Sequence, residues 1–442
     1  MTVRWAVVGA GSAGCVVAAR LSEDPQNDVV LYEAGPDLTR QDVLGAVDGP
    51  DAVAALETPG RTFEQLLARR VRGGAPTPYQ RGRGVGGSSV VNAMVALRGD
   101  PAQYASWGWD DVDDAWGRVA LPVEVPAREE LGPLGRALLD ADADAATVPL
   151  SRRSGRRVTS AEAYLWPALE RANLTVRSDA EVTRIALDSR RAVGVHLRNG
   201  GGTEGVEPAD RVVLCAGAVH TPDLLLRSGV TTPGVGDHLQ DHPSVTLTLE
   251  LAPEGRRAPH ELAIGTVLDR GSWQLLPVDA TRDGGGGYGV LLCAVMRPTG
   301  HAGTVRPGAT SPEVDLHLLE EPADRRRLRE AVMHALGLLE RRAFAELVTS
   351  SYADEHGTPA STLRDERTFE RWLPTAAGGY VHASSSCAMG RAVDDAGRLV
   401  GYEHVLVCDA SVFPDVPHVH PHLPVTMLAE RLVARWARVE AR

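Results

Sequence analysis

The stretch that most constrains the fold stands at the start of the sequence. Val3–Val8 is a short apolar run rich in valine, the composition of a buried strand. Gly9-Ala-Gly11-Ser-Ala-Gly14 follows at once. Ala18, Ala19 and Leu21 then continue a helical face, and Asp28–Tyr32 supplies a second apolar strand ending in Glu33-Ala34-Gly35. Strand, glycine turn, helix, strand and acid, in that order, form a unit for binding a dinucleotide. Gly9 allows the tight turn, Gly11 lets the backbone approach a pyrophosphate, and Gly14 lets helix and strand pack closely. The phosphates sit at the helix N-terminus, where free N–H groups and the dipole favour anions. Glu33, nineteen residues past Gly14, is the group to accept hydrogen bonds from a ribose. A lone glycine motif is weak in a chain with 46 glycines, but here the flanking context is present on both sides. The motif by itself does not separate FAD from NAD.

Composition narrows the partners. The 442 residues suffice for two or three domains, or for one interlocked body. With 43% hydrophobic and 24% charged residues the chain can bury a sizeable core. A net charge of −12, with no basic run, argues against nucleic acid or an anionic membrane as the main partner. All 46 basic residues are arginine. Five scattered cysteines form no CxxC pair, and most lie in apolar runs, so buried reduced thiols in a cytoplasmic protein are expected. Strand-like sequence begins at Val3, so no signal peptide is expected before it. No apolar run is long enough to insert into a membrane.

Residues 36–78 carry few strand signals and helical patches near Asp51–Leu56 and Thr62–Arg70; a lid near the cofactor, or a plain connecting loop, is expected. Next comes Tyr79-Gln-Arg-Gly-Arg-Gly-Val-Gly-Gly-Ser-Ser-Val-Val-Asn-Ala-Met-Val-Ala-Leu-Arg-Gly99. Its five glycines within eighteen residues imply backbone packed closely against something. This segment resembles the first signature of the glucose-methanol-choline (GMC) oxidoreductase family, which lines a flavin. Glu33-Ala34-Gly35 likewise resembles the end of the FAD version of the glycine motif. Some family members attach FAD through a histidine just before the asparagine; here that position is Val91, so the resemblance implies non-covalent FAD.

Further blocks extend the resemblance over nearly the whole chain. Val212–Gly229 reads as strand, turn and helix and is similar to the family's second signature. Val235–Pro243 matches another block, with His238 where asparagine is usual. His238 and His242 also admit a metal reading, which the structural block makes the weaker one. From Ser244 several strands follow without alternating helices, then an amphipathic helix at Arg325–Leu339, so an antiparallel sheet is expected. A hairpin turn is expected at Asn199–Gly202 and a loop at Gly284–Gly287. Residues 108–158 look short beside the family's corresponding region.

The C-terminal part concentrates histidines: His382 in His382-Ala-Ser-Ser-Ser-Cys-Ala-Met-Gly390, then His418, His420 and His422. The alternating trio has the spacing of a metal site, but no carboxylate or cysteine cluster completes a ligand set. The resemblance puts His382 at the family's first catalytic histidine and His420 at its catalytic Asn-or-His position. His422 falls at a second position, usually asparagine, and is an auxiliary candidate; His418 lies outside the pattern and reads as structural. A helix at 424–436 is expected to aim its N-terminus at the flavin. Alcohol oxidation requires a base for the hydroxyl proton while carbon gives hydride to flavin N5, and a neutral imidazole is the natural base near pH 7. Either His382 or His420 can serve. One departure stands out: the usual Pro-Val-Gly-Thr after the first histidine is Ala383-Ser-Ser-Ser386.

The expectation is therefore an α/β Rossmann-like FAD-binding domain (residues 1–100, 155–242 and 380–442) with an α+β substrate domain built on an antiparallel sheet (101–154 and 243–379). By resemblance, FAD contacts fall at Gly9, Gly11, Ser12, Ala13, Gly14, Glu33 and Ala34, and at Arg81, Gly82, Gly86, Gly87, Ser88, Asn92, Ala93, Met94 and Val95. They continue at Val182, Ala216, Gly217, Asp409, Ala410, His420, Pro421, His422 and Val425. The implied activity is oxidation of a small-molecule alcohol, with O2 or a redox carrier as electron acceptor. Two alternatives come with the same fold: a hydroxynitrile lyase with silent FAD, and a mycofactocin-associated or natural-product tailoring enzyme.

Overall fold

The computed structural model describes residues 2–38, 47, 49, 51–198, 204–279, 287–300 and 302–440. The expected turn at Asn199–Gly202 lies outside the described residues. So do residues 284–286 of the glycine loop and residues 39–46, 48 and 50 of the expected lid.

Val3–Val8 is the central strand of a five-stranded parallel sheet. The order across it is Val405–Val407, Arg211–Leu214, Val3–Val8, Asn27–Tyr32 and Leu174–Arg177. Trp5–Val8 are buried throughout, as a parallel sheet covered on both faces requires. Trp5 donates its indole N–H to Asn27 Oδ1 at 2.9 Å and stacks on Trp436 of the last helix. That helix, His422–Glu440, packs along Ser12–Leu21. Glu430 is 1% exposed between them and accepts from Arg20 Nη2 at 2.9 Å. Removing Arg20 would leave the buried Glu430 charge poorly compensated, so the contact ties the last turn of Ser12–Leu21 to the middle of the final helix.

Most strands between Pro243 and Gly379, with Ala145–Thr147, form an antiparallel sheet. Its order is Val348–Tyr352, Pro243–Leu251, Tyr288–Val295, Trp273–Val278, Thr266–Asp269 and Ala145–Thr147, with Gly378–Gly379 paired beside Pro243–Leu251. The period of two sorts its side chains. Val245, Leu247, Leu249, Leu291, Cys293 and Leu275 are buried in one core together with Leu328, Val332 and Leu336 of the helix Pro322–Leu339. Ser244, Thr246, Gln274, Leu276, Val278 and Leu292 occupy the alternate positions. Leu276 stands opposite Leu292, and Leu292 opposite Thr246, so they form one rung across three strands.

The segment read as a lid with few strands contains two of them. Leu67–Arg69 and Pro76–Pro78 join Thr304–Arg306 and Glu313–Asp315 in a four-stranded sheet. Three-residue strands have no period to read, and Ala68 takes its partner, Val314, from far along the chain. The helix here, Ala52–Leu56, is capped by Asp51, which accepts from the N–H groups of Val53 and Ala54. All five cysteines are free and buried. Among the described residues no helix is long and apolar enough to cross a membrane.

Candidate functional site

A cavity of about 1380 Å³ opens where the carboxyl ends of the parallel strands meet the free face of the antiparallel sheet. Pockets for drug-sized ligands run to roughly 1,000 Å³, so there is room here for a dinucleotide and a second molecule. Three helices begin at its wall: Ser12–Leu21, Gly217–Arg227 and His422–Glu440. Their N-terminal N–H groups favour anionic charge on a ligand.

The three motif glycines take distinct places. A Cβ on Gly9 (φ +99°) would lie 2.7 Å from the Cys215 carbonyl oxygen, and one on Gly14 would lie 1.8 Å from the Gly9 oxygen. A Cβ on Gly11 would meet nothing within 4 Å, because the cavity lies above it. Gly217 (φ +81°) is open in the same way. Glu33 lines the cavity and also organises its wall: Oε2 accepts from Ala10 N, and Oε1 from Gly35 N and Gly84 N.

Of the residues expected at the cofactor, Gly14, Gly86 and Met94 do not reach the cavity; the others line it. Gly14 serves the helix crossing. Gly86 donates to the Ala10 carbonyl at 2.8 Å, and a Cβ there would strike Val90. Met94 turns into a small core with Leu131 and Val148. Asn92 is oriented by a residue the motif did not single out. Arg157, 1% exposed, donates to Asn92 Oδ1 at 2.7 Å, and Met94 N donates to the same oxygen. The Asn92 amide N–H groups are thereby left for the cavity side. Asp409 is buried, accepting from Gly217 N, Thr221 Oγ1 and Ser411 N. Val91 is on the wall.

His382 and His420 face each other with ring centroids 5.0 Å apart and planes at 72°. Both line the cavity, on the edge nearest the antiparallel sheet, with the Tyr380 ring beside both. Tyr380 lies 3.2 Å from His420 Nε2 and accepts from Gln274 Nε2 at 2.8 Å. Burial pushes His420 down to about 4, and burial with the neighbouring His420, His242 and Arg81 holds His382 well below the usual imidazole range. Both rings are therefore neutral near pH 7. His422 joins the wall from the helix start, its Nδ1 3.2 Å from Ser12 Oγ; burial, with Arg157 nearby, lowers it to about 4. His418 lies off the wall, its backbone N–H donating to Gln103 Oε1.

The chain just before His382 is strained. Val381 has φ 56°, a left-handed conformation that costs a β-branched residue about 1–3 kcal/mol. The Arg81 guanidinium, stacked on Tyr79, donates to the Val381 carbonyl and helps hold it. His238 and His242 do not converge. His238 Nε2 meets Gln240, whereas His242 Nδ1 is 2.9 Å from His382 Nδ1. Tyr380, Gln274, His242 and Arg157 were not among the expected site residues. Only His242 carried a signal, as a histidine inside a recognisable block.

The sequence pattern of GMC oxidoreductases matches residues 4–145 and 140–244 in its N-terminal part and 301–429 in its C-terminal part. The chain belongs to the GMC oxidoreductase family. This GMC oxidoreductase is 31% identical to an uncharacterised GMC-type oxidoreductase from Rhodococcus erythropolis, over 97% of each chain. It is 28% identical to 5-(hydroxymethyl)furfural oxidase from Methylovorus sp. (strain MP688), again over 97% of each. Pyridoxine 4-oxidase from Mesorbium loti superposes with a TM-score of 0.85 at 25% identity, covering 99% of each chain. The enzyme is an FAD-dependent oxidoreductase with the GMC fold. Its cavity fits that cofactor: open space over Gly11 and Gly217, helix N-termini for the diphosphate, and the buried His422 Nε2 still without a partner.

Proposed function

We propose that this enzyme oxidises a neutral alcohol with an apolar body to the corresponding carbonyl compound, with His382 and His420 as its acid–base and orienting pair. The observation that carries this reading is the pair itself: two neutral imidazoles 5.0 Å apart on the wall of a cofactor-sized cavity. Bound FAD supplies the two-electron acceptor for the hydride that leaves the carbon. The protein's share is to take the hydroxyl proton and to hold the oxygen, work for which neutral imidazoles are suited. Gly9, Gly11, Ser12, Glu33, Asn92, Ala216, Gly217, Asp409 and His422 are the residues we assign to holding FAD, non-covalently. The parallel-sheet body would hold the cofactor and the antiparallel body the substrate.

The character of the substrate follows from the sheet face beyond the histidines. Leu276, Val278 and Leu292, with neighbouring Ile264, line the cavity there, and its strands add Ser244 and Thr246 but no charged side chain. An ionic substrate body would lose its hydration against that wall without compensation. An apolar one gains about 25 cal/mol per Å² buried.

Anaerobic mixing with a panel of primary and secondary alcohols tests the reading. Loss of flavin absorbance near roughly 450 nm, a property of oxidised flavin that the protein only tunes, is the expected result. His382→Ala should slow that bleaching by about a hundredfold or more while FAD stays bound. A flavin that never bleaches, in a protein that cleaves a cyanohydrin, would instead establish the lyase.

A further inference from the structure

His242 is not part of the cavity wall. It lies behind His382, fully buried. The two Nδ1 atoms are 2.9 Å apart, with the rings nearly perpendicular at 87°. At that distance one nitrogen carries the hydrogen and the other accepts it. The surroundings of His242 decide which. Burial pushes His242 down to about 3, so the ring is neutral; against that, the backbones of Pro417 and Met296 favour a proton on the ring. Proline has no N–H, so the group it offers is a carbonyl acceptor. Since Nδ1 is engaged with His382, the nitrogen left for these carbonyls is Nε2, although neither closes a well-formed hydrogen bond. With its single proton on Nε2, on the side of these carbonyls, His242 is bare at Nδ1. His382 must then donate from Nδ1, which leaves its Nε2 bare and open to a ligand.

His420 has no equivalent freedom. Its Nδ1 is sealed inside the protein without a partner, so the nitrogen it can turn to an alcohol oxygen is Nε2, shared there with the Tyr380 hydroxyl. We propose that His242 is a positioning residue that locks His382 in its Nδ1–H form, making His382 Nε2 the proton acceptor and leaving His420 to orient the alcohol oxygen. The inference rests on the alcohol-oxidising reading. In that step the hydroxyl proton goes to His382 Nε2, the carbon-bound hydrogen leaves with its electron pair to bound FAD, and a C=O bond forms. Once protonated, His382 still donates from Nδ1 to His242, now through a charge-assisted bond roughly twice as strong as a neutral one. The contact that selects the tautomer therefore also supports the proton's arrival. Burial, His420 and Arg81 oppose that charge, as would His242 if it were itself protonated, and Asp241 lies beneath the His382 backbone N–H.

The test is 15N NMR of the FAD-loaded protein with labelled histidine and no alcohol present. The His382 signals are those lost in His382→Ala. Nδ1 should appear as a protonated, pyrrole-like nitrogen and Nε2 as a bare, pyridine-like one. His242→Phe keeps a ring but removes the acceptor. It should mix or reverse the His382 signals and lower the flavin reduction rate at saturating alcohol by about tenfold or more, with half-saturation little changed. His242→Asn, whose side-chain oxygen restores an acceptor, should recover most of that rate. A wild-type His382 protonated at Nε2 overturns the proposal. So does a folded, FAD-loaded His242→Phe whose His382 signals are unchanged. If His242→Phe does not fold, the wild-type spectrum alone still decides. No substrate enters the spectrum, so failure of alcohol oxidation and failure of this inference are separate results.

Discussion

Asp241 Oδ1 accepts the backbone N–H of His382 at 2.9 Å, across 141 residues of sequence. The same oxygen accepts from His242 N at 2.7 Å, and Oδ2 accepts from the Tyr79 hydroxyl at 2.7 Å. One buried carboxylate thus joins the glycine-rich signature, the block ending in His242 and the segment that presents His382. Burial pushes the Asp241 pKa up, while Arg81 and the three donors pull it back.

Asp241→Ala strands these donors in a site without solvent. Each unsatisfied buried donor costs about 1–3 kcal/mol. We expect a melting temperature lower by several degrees and slower flavin reduction, because His382 loses its anchor. Thermal unfolding and stopped-flow absorbance measure the two effects. An unchanged melting temperature would show that the carboxylate does not hold the three segments together.

Two glycines three residues apart should fail in different ways. A Cβ on Gly14 would lie 1.8 Å from the Gly9 oxygen, so Gly14→Ala forces helix and strand apart and should compromise folding. A Cβ on Gly11 meets no protein atom within 4 Å, so Gly11→Ala should fold and lose FAD affinity instead. Circular dichroism and FAD titration of the apoprotein separate the outcomes. Full FAD binding by Gly11→Ala would place the pyrophosphate elsewhere.

The acid limb of flavin reduction should lie well below the usual imidazole pKa of about 6.5. In the proposed role His382 works as a neutral base, and burial with its neighbours holds its pKa down, so that base would stay usable as pH falls past 6.5. Reduction rates measured across this range at saturating alcohol check it. A limb at or above 6.5 would contradict a buried neutral base.

FAD should leave with denaturation. Val91 offers no nucleophile for attachment, so acid precipitation is expected to leave the yellow colour in the supernatant. Flavin retained in the washed pellet would show a covalent bond.

The apolar rung should set affinity for the alcohol. Leu292→Ala removes one contact from the wall formed with Leu276, which is worth about 1–3 kcal/mol, or 10–200-fold, in a hydrophobic pocket. The loss should appear in kcat/KM for apolar alcohols and much less for short ones. Equal loss for all alcohols would point to a general packing defect.

Local, periodic features were legible from the sequence. The strand Val3–Val8, the glycine turn, the helix starting at Ser12 and the final helix announce themselves through patterns closed within a few residues. The antiparallel nature of the sheet after Ser244 was legible too, from strands without intervening helices. His382 and His420 stood out through their motif positions. The strand pair at Leu67–Arg69 and Pro76–Pro78 did not, since three residues show no period and their partner strand is distant. Nor did the places of Gly86 and Met94 behind the wall, which depend on which way a backbone turns.

The sequence by itself determined the cofactor-binding frame, because a glycine without Cβ, an alternation of apolar residues and a helix start each act through near neighbours. The tertiary structure decided what surrounds the histidines. Whether an imidazole is a base or a donor depends on what touches its other nitrogen, and for His382 that is His242, 140 residues away. His420 keeps Nδ1 sealed without a partner and meets Tyr380, itself held by Gln274 from the antiparallel sheet, through Nε2. Such contacts obey distance in space alone, and no spacing along the chain encodes them.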